Sequence, residues 1–184
     1  MRTQSYKDFS NVSKGRLFLN KSLLLRLAFS CPDGSDILFV GVHKYWDYQS
    51  LWNNPAKLCN FYTIDKYPGH NNPEKEDYYP APDYCMSIED CDDIESDRFQ
   101  QIIMIGVFEY LDHPEKAFAQ IHRMLKVGGI AIFAFTGKSE YNDQRGMDES
   151  EVIERLKPLR VTEIYLTYEG KEKPNSVMCV AEKI

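Results

Sequence analysis

The chain has 184 residues, 43% of them hydrophobic and 27% charged, the balance of one globular domain that can bury a core without disulfide or metal staples. Its net charge is −6 and its basic residues are scattered among acids, so a phosphate-backbone footprint is missing and nucleic acid is not an expected partner. The longest apolar run, Leu23 to Phe29, is broken by Arg26 and is far shorter than the roughly 20 residues of a membrane span; the polar start, Met1 to Ser5, is not expected to act as a signal peptide.

In chain order, Leu17, Leu23, Leu24, Leu27 and Ala28 follow a partly helical spacing that stops at Pro32, Asp33 and Gly34, which predicts an N-terminal covering helix within residues 1–34. The uninterrupted apolar run Ile37 to Val40, ending at Gly41, reads as a parallel strand buried on both faces. Asp47 is placed to cap a short helix through Leu51 and Trp52 that Asn53, Asn54 and Pro55 end. A second strand, Phe61 to Ile64, closes on Asp65, and the proline-rich stretch from Tyr67 to Pro82 is expected to be loop. A short third strand, Asp83 to Met86, leads into the acidic segment Glu89 to Glu95.

The clearest strand is Ile102 to Ile105, ending in Gly106. Asp112 and Glu115 have the spacing of a capping box, Pro114 falls in the first turn, and Ala117, Phe118, Ile121, Met124 and Leu125 form one apolar stripe. Gly128 and Gly129 are expected to stop that helix before a fifth strand, Ile130 to Phe135. Asp148 with Glu151 predicts a second capped helix with Val152, Ile153 and Leu156 inward, followed by a hairpin-like pair of strands, Val161 to Thr167 and Val177 to Glu182. Strands alternating with helices and then a terminal strand pair indicate a doubly wound α/β domain over residues 35–184, with one antiparallel strand near the edge.

In such a sheet, ligands bind beyond the carboxyl ends of the strands where strand order reverses. That directs attention to Gly41 onward, Asp65, Ser87 to Glu89, and Gly106 to Tyr110. Five cysteines, an odd number with no C-x-x-C pair, read as reduced thiols, mostly buried, in a cytoplasmic protein. No histidine–cysteine cluster has metal-ligand spacing, so no metal is expected.

The segment Phe99 to Glu115, with Gly106-Val-Phe-Glu-Tyr-Leu-Asp-His-Pro-Glu at its end, followed by Ile121-His-Arg-Met-Leu-Lys-Val-Gly-Gly-Ile, resembles the second half of class I S-adenosylmethionine (SAM)-dependent methyltransferases of the type 11-like group. Tyr110 stands where the family usually has His, and Val127 where it has Pro. The resemblance implies a Rossmann-like, three-layer α/β/α domain with a seven-stranded sheet. It also implies SAM or its demethylated product SAH as cofactor, and methyl transfer to an oxygen or nitrogen of a small molecule or saccharide. Asp65 matches the acid that accepts both ribose hydroxyls, a role suited to the two oxygens of a carboxylate. Ser87, Ile88 and Glu89 match the adenine position, and Gly106, Val107, Glu109 and Tyr110 flank the reactive end and the acceptor.

The first loop reads Gly41-Val42-His43-Lys-Tyr45, where the family commonly has Gly-x-Gly-x-Gly. Gly41, Val42 and His43 are carried over as cofactor contacts. His43 is either a general base or acceptor contact, since imidazole titrates near neutrality, or a plug that fills the glycine gap. Glu109 is either an orienting base or a residue that caps or solvates the strand end. Tyr45, Trp46, Tyr48 and Trp52 line an acceptor pocket or pack the first helix, and Thr136 to Gly146 forms a rim or a solvated loop. A non-catalytic SAM-binding or scaffolding domain is the alternative reading. A nicotinamide dehydrogenase fits less well, because its Gly-x-Gly-x-x-Gly fingerprint is absent.

Overall fold

A computed structural model describes residues 2–6, 31–41, 59–68, 81–136, 148–167 and 176–184. The expected covering helix over Leu17 to Ala28, the helix opened by Asp47, the Tyr45 to Trp52 aromatics and most of the 67–82 loop and the 136–146 rim lie outside the described residues. The described strands are β1 (Arg2–Tyr6), β2 (Asp36–Val40), β3 (Asn60–Asp65), β4 (Tyr84–Cys85), β5 (Phe99–Ile105), β6 (Leu125–Thr136), β7 (Arg160–Thr167) and β8 (Ser176–Glu182). They form one sheet of order β1-β7-β8-β6-β5-β2-β3-β4. All are parallel except β8, which runs antiparallel to both β6 and β7. This is the expected Rossmann-like sheet with its single reversed strand.

An eighth strand exceeds the seven expected. Residues 2–6 pair with β7 from Arg2 opposite Glu163 to Tyr6 opposite Thr167. An edge strand is held by backbone hydrogen bonds, which a polar sequence supplies as well as an apolar one, so a search for apolar runs passes over it.

The sheet separates its side chains by alternation. Leu38, Val40, Ile102, Met104, Phe133 and Phe135 are buried on one face, against the helices α1 (Pro114–Met124) and α2 (Glu149–Arg155). Ile37, Phe39, Ile103, Ile105, Ile132 and Ala134 are buried on the other. From α1, Ala117, Phe118, Ile121 and Met124 enter the first cluster; each large side chain contributes about 1.5–3 kcal/mol by leaving water.

The two helix starts differ. Asp148 caps α2 as expected: its carboxylate accepts the Glu151 N–H at 3.0 Å, and the Glu151 carboxylate accepts the Asp148 N–H at 3.0 Å. The box expected of Asp112 and Glu115 does not form, because the N-cap of α1 is His113, at φ −131° and ψ 73°. Proline disfavours helical geometry in the residue before it, so Pro114 holds His113 out of the helix and puts the Asp112 pattern one position out of register.

The end of α1 also departs from expectation. The helix stops at Met124, and Leu125, expected within it, is extended and opens β6 opposite Phe99. Gly128 and Gly129 serve an irregularity inside β6, where the pairing jumps from Phe99/Leu125 to Gln101/Ile130. A Cβ on Gly129 would lie 2.8 Å from the Lys126 carbonyl oxygen, and Gly128 has φ +75°, so both places require glycine.

Candidate active site

Strand order reverses between β2 and β5: β3 and β4 lie to one side of this pair and β6, β8 and β7 to the other. Beyond the carboxyl ends of β2, β3 and β5 the described residues line a crevice of about 420 Å³, within the usual range of small-molecule sites. Its walls include Gly41, Asp65, Ser87, Ile88, Glu89, Gly106, Val107 and Tyr110. Every site residue expected from the sequence and described in the structure is therefore on this crevice, with Glu109 the exception. Val42 and His43 lie outside the described residues.

Gly41 ends β2 with φ +76°, and its N–H donates to the Ile64 carbonyl at 2.9 Å, which ties the turn to β3. A Cβ built on it would lie 2.1 Å from Val107 Cγ2. Side-chain-free backbone is thus required where the ends of β2 and β5 meet. Gly106 also takes a positive φ, +63°, and donates to the Ala134 carbonyl at 3.2 Å, so the chain turns sharply out of β5.

Asp65, the last residue of β3, accepts the Tyr67 N–H at 3.0 Å through Oδ1. That bond sets the carboxylate's orientation at the crevice wall. Nearby, β4 is fastened to β3 by Asp83, whose Oδ2 accepts both the Thr63 N–H and hydroxyl at 2.8 Å, while Thr63 Oγ1 accepts the Asp83 N–H at 2.9 Å. The short β4 needs this clamp, and it delivers Ser87 and Ile88 to the crevice. Ser87 then caps a 3-10 turn, Ile88–Asp90, by accepting the Glu89 N–H at 3.2 Å.

A second 3-10 turn, Phe108–Tyr110, follows Gly106, with the Tyr110 N–H donating to the Val107 carbonyl at 2.9 Å. Phe108 anchors it: its ring stands edge-on to Phe135 at 5.3 Å and stacks with Phe118 at 6.0 Å. Successive side chains of such a turn diverge by about 120°, and residues three apart eclipse. Val107 and Tyr110 accordingly share the crevice side, Phe108 points into the core and half-buried Glu109 does not line the crevice. That geometry takes Glu109 off the crevice wall. Tyr110 is 65% exposed, so its phenol stands at the open margin.

Lys66, Tyr67, Met86 and Leu111 also line the crevice and escaped the sequence reading. Each adjoins a residue that it did single out, or lies within two positions of one. All five cysteines are reduced thiols: Cys31, Cys91 and Cys179 are buried, Cys59 half-buried and Cys85 exposed. Burial pushes the Cys91 thiol up to about 11, and Cys85 departs from the expected burial because it sits on the two-residue edge strand β4. Among the described residues no group of acidic, histidine and cysteine side chains is arranged to hold a metal, and no helix is long and apolar enough to cross a membrane.

A doubly wound sheet with a glycine turn, a strand-end carboxylate and a crevice at the switch point defines a Rossmann-like protein whose ligand site lies at that crevice. Residues 48–133 match the family described as a methyltransferase domain, a span from beyond the Gly41 turn into β6. Among solved structures, the N-methyltransferase NodS from Bradyrhizobium japonicum WM9 superposes with a TM-score of 0.67 at 18% identity, over 95% of this chain and 99% of that one. The same protein in complex with S-adenosyl-L-homocysteine gives 0.63 at 18% identity, over 90% and 86%. The [4+2]-cyclase SpnF gives 0.69 at 12% identity, over 88% and 80%. No curated protein matches the sequence. The family match over residues 48–133 and the shared fold support the class I SAM-dependent methyltransferase family, whose cofactor is SAM.

Proposed function

We propose that the protein transfers the methyl group of SAM to an oxygen or nitrogen atom of a small molecule or sugar, as a cytoplasmic enzyme. The observation that carries the reading is the convergence on one crevice of Gly41, Asp65, Ser87, Ile88, Gly106, Val107 and Tyr110 from four strand ends. The residues fit the cofactor: Asp65 offers two acceptor oxygens to a ribose diol, Ile88 an apolar surface and Ser87 a hydroxyl to adenine, and the Gly41 backbone an approach free of side chains. Val42 and His43, which follow Gly41 in the sequence, are further cofactor contacts in this reading.

Bound there, the cofactor supplies a methyl group already activated by its sulfonium charge. The chain's part is to hold the acceptor in line, which accounts for a large share of the rate, and to remove a proton where the acceptor is weakly acidic. Tyr110, at the exposed margin next to Val107, is the acceptor-side contact. His43 and Glu109 are the base candidates, and the turn that carries Glu109 off the wall makes His43 the first to replace.

Calorimetric titration with SAH tests the cofactor reading. Wild-type protein is expected to bind, and Asp65→Ala to weaken binding by about tenfold or more through the loss of charged hydrogen bonds, with little change in Tm. Wild-type protein that takes up no SAH at millimolar concentration refutes it. A second reading, a cofactor-binding or scaffolding domain that transfers no methyl group, draws on His43 and Tyr45 in the first loop and on the cyclase that shares this fold. SAH binding without SAM turnover across an acceptor panel would favour it.

A further inference from the structure

The carboxylate of Glu89 is engaged inside the protein. One oxygen, Oε1, accepts the backbone N–H of His113, and the other, Oε2, accepts the Ser87 hydroxyl at 3.3 Å. His113 is the N-cap of α1 and makes no side-chain cap of its own, and Pro114 after it has no N–H. The amide that Glu89 takes therefore ends the connection running from Tyr110 and Leu111 into the helix. That amide also sits at the positive end of the helix, where a carboxylate is favoured.

Each end of this link belongs to the crevice. Ser87, Ile88 and Glu89 line one wall, and Val107, Tyr110 and Leu111 line the other. We propose that Glu89 is a positioning residue, which straps the turn after β4 to the first amide of α1 and so fixes the spacing between the cofactor wall and the acceptor wall. The proposal rests on the SAM reading of the crevice and corrects one detail of it: Glu89 acts through His113 and not by touching adenine. Glutamate has the reach for this; aspartate, one methylene shorter, keeps the charge and loses the contact.

The test is amide hydrogen exchange on the full chain without ligand, followed by SAH titration. In Glu89→Ala and Glu89→Asp the His113 amide is expected to exchange about fivefold faster or more, as when a helix loses a cap, with Tyr110 and Leu111 loosened alongside. Glu89→Gln keeps an acceptor for His113 and a donor toward Ser87, so protection stays within about twofold of wild type. SAH affinity is expected to fall in the same order. Melting curves check folding, and should Glu89→Ala not fold, the Asp and Gln pair decides.

Unchanged His113 exchange in the Asp variant overturns the proposal, and so does a Gln variant as fast as Asp. Weakened SAH binding with undisturbed exchange would mean direct contact and overturns it as well. Wild-type protein that binds no SAH, while exchange still responds to Glu89, refutes the cofactor reading and leaves the strap standing.

Discussion

Gly41→Ala strikes the closest approach in the crevice, and its cost divides into two measurable parts. At φ +76° an L-residue with a Cβ sacrifices about 1–2 kcal/mol. The new methyl also falls 2.1 Å from Val107 Cγ2. Valine has few χ1 alternatives, so relief requires movement of backbone or neighbours at about 1–3 kcal/mol. The sum, about 2–5 kcal/mol, lowers Tm by about 2–4 °C for each kcal/mol in a domain of this size. Val107→Ala removes the obstacle and leaves the dihedral cost. Urea unfolding of the wild type, both single variants and the double variant should therefore give a favourable coupling of about 1–3 kcal/mol. Effects that add within about 0.5 kcal/mol refute the claim that Val107 is what excludes a side chain at position 41. SAH affinity offers an independent check, since both residues line the crevice: Gly41→Ala should weaken it, and Val107→Ala should restore part of the loss in the double variant.

Lys183→Met keeps the aliphatic stem but removes the ammonium that reaches Asp97 Oδ1 at 2.8 Å and the Leu125 and Arg123 carbonyls at 2.9 and 3.5 Å. With that side chain only 11% exposed, the Leu125 carbonyl loses this donor, while the Arg123 carbonyl keeps the Asp97 N–H at 3.0 Å. The expected loss is about 1–3 kcal/mol in chemical unfolding, with SAH affinity unchanged; an unchanged unfolding midpoint would count against this role. Alkylation of the native protein with iodoacetamide should label exposed Cys85 first, and Cys91 and Cys179 only after denaturation, since burial hinders access and pushes both thiols up. Peptide mass spectrometry that finds Cys91 labelled as fast as Cys85 would contradict its burial.

What the residues disclosed in advance follows from which interactions are local. The buried strands from Ile37 to Val40 and from Ile102 to Ile105 are apolar on both faces, so a pattern of hydrophobicity suffices to find them. Gly41, Asp65 and Gly106 could be placed at strand ends for the same reason, and the crevice they line follows from strand order. β1 was illegible because its bonds to β7 come from the backbone and join opposite ends of the chain. The Asp112 box failed through a contest between two local rules, in which the steric demand of Pro114 outweighed the capping pattern. That failure and the Glu89 contact have one origin. Once Pro114 moves the cap to His113, whose side chain does not cap, the exposed start of α1 needs an acceptor from elsewhere, and the carboxylate that supplies it comes from the opposite wall of the crevice. An acid read from sequence as a ligand contact thus does its work on the protein's own backbone, and the site depends on it through the placement of Tyr110 and Leu111.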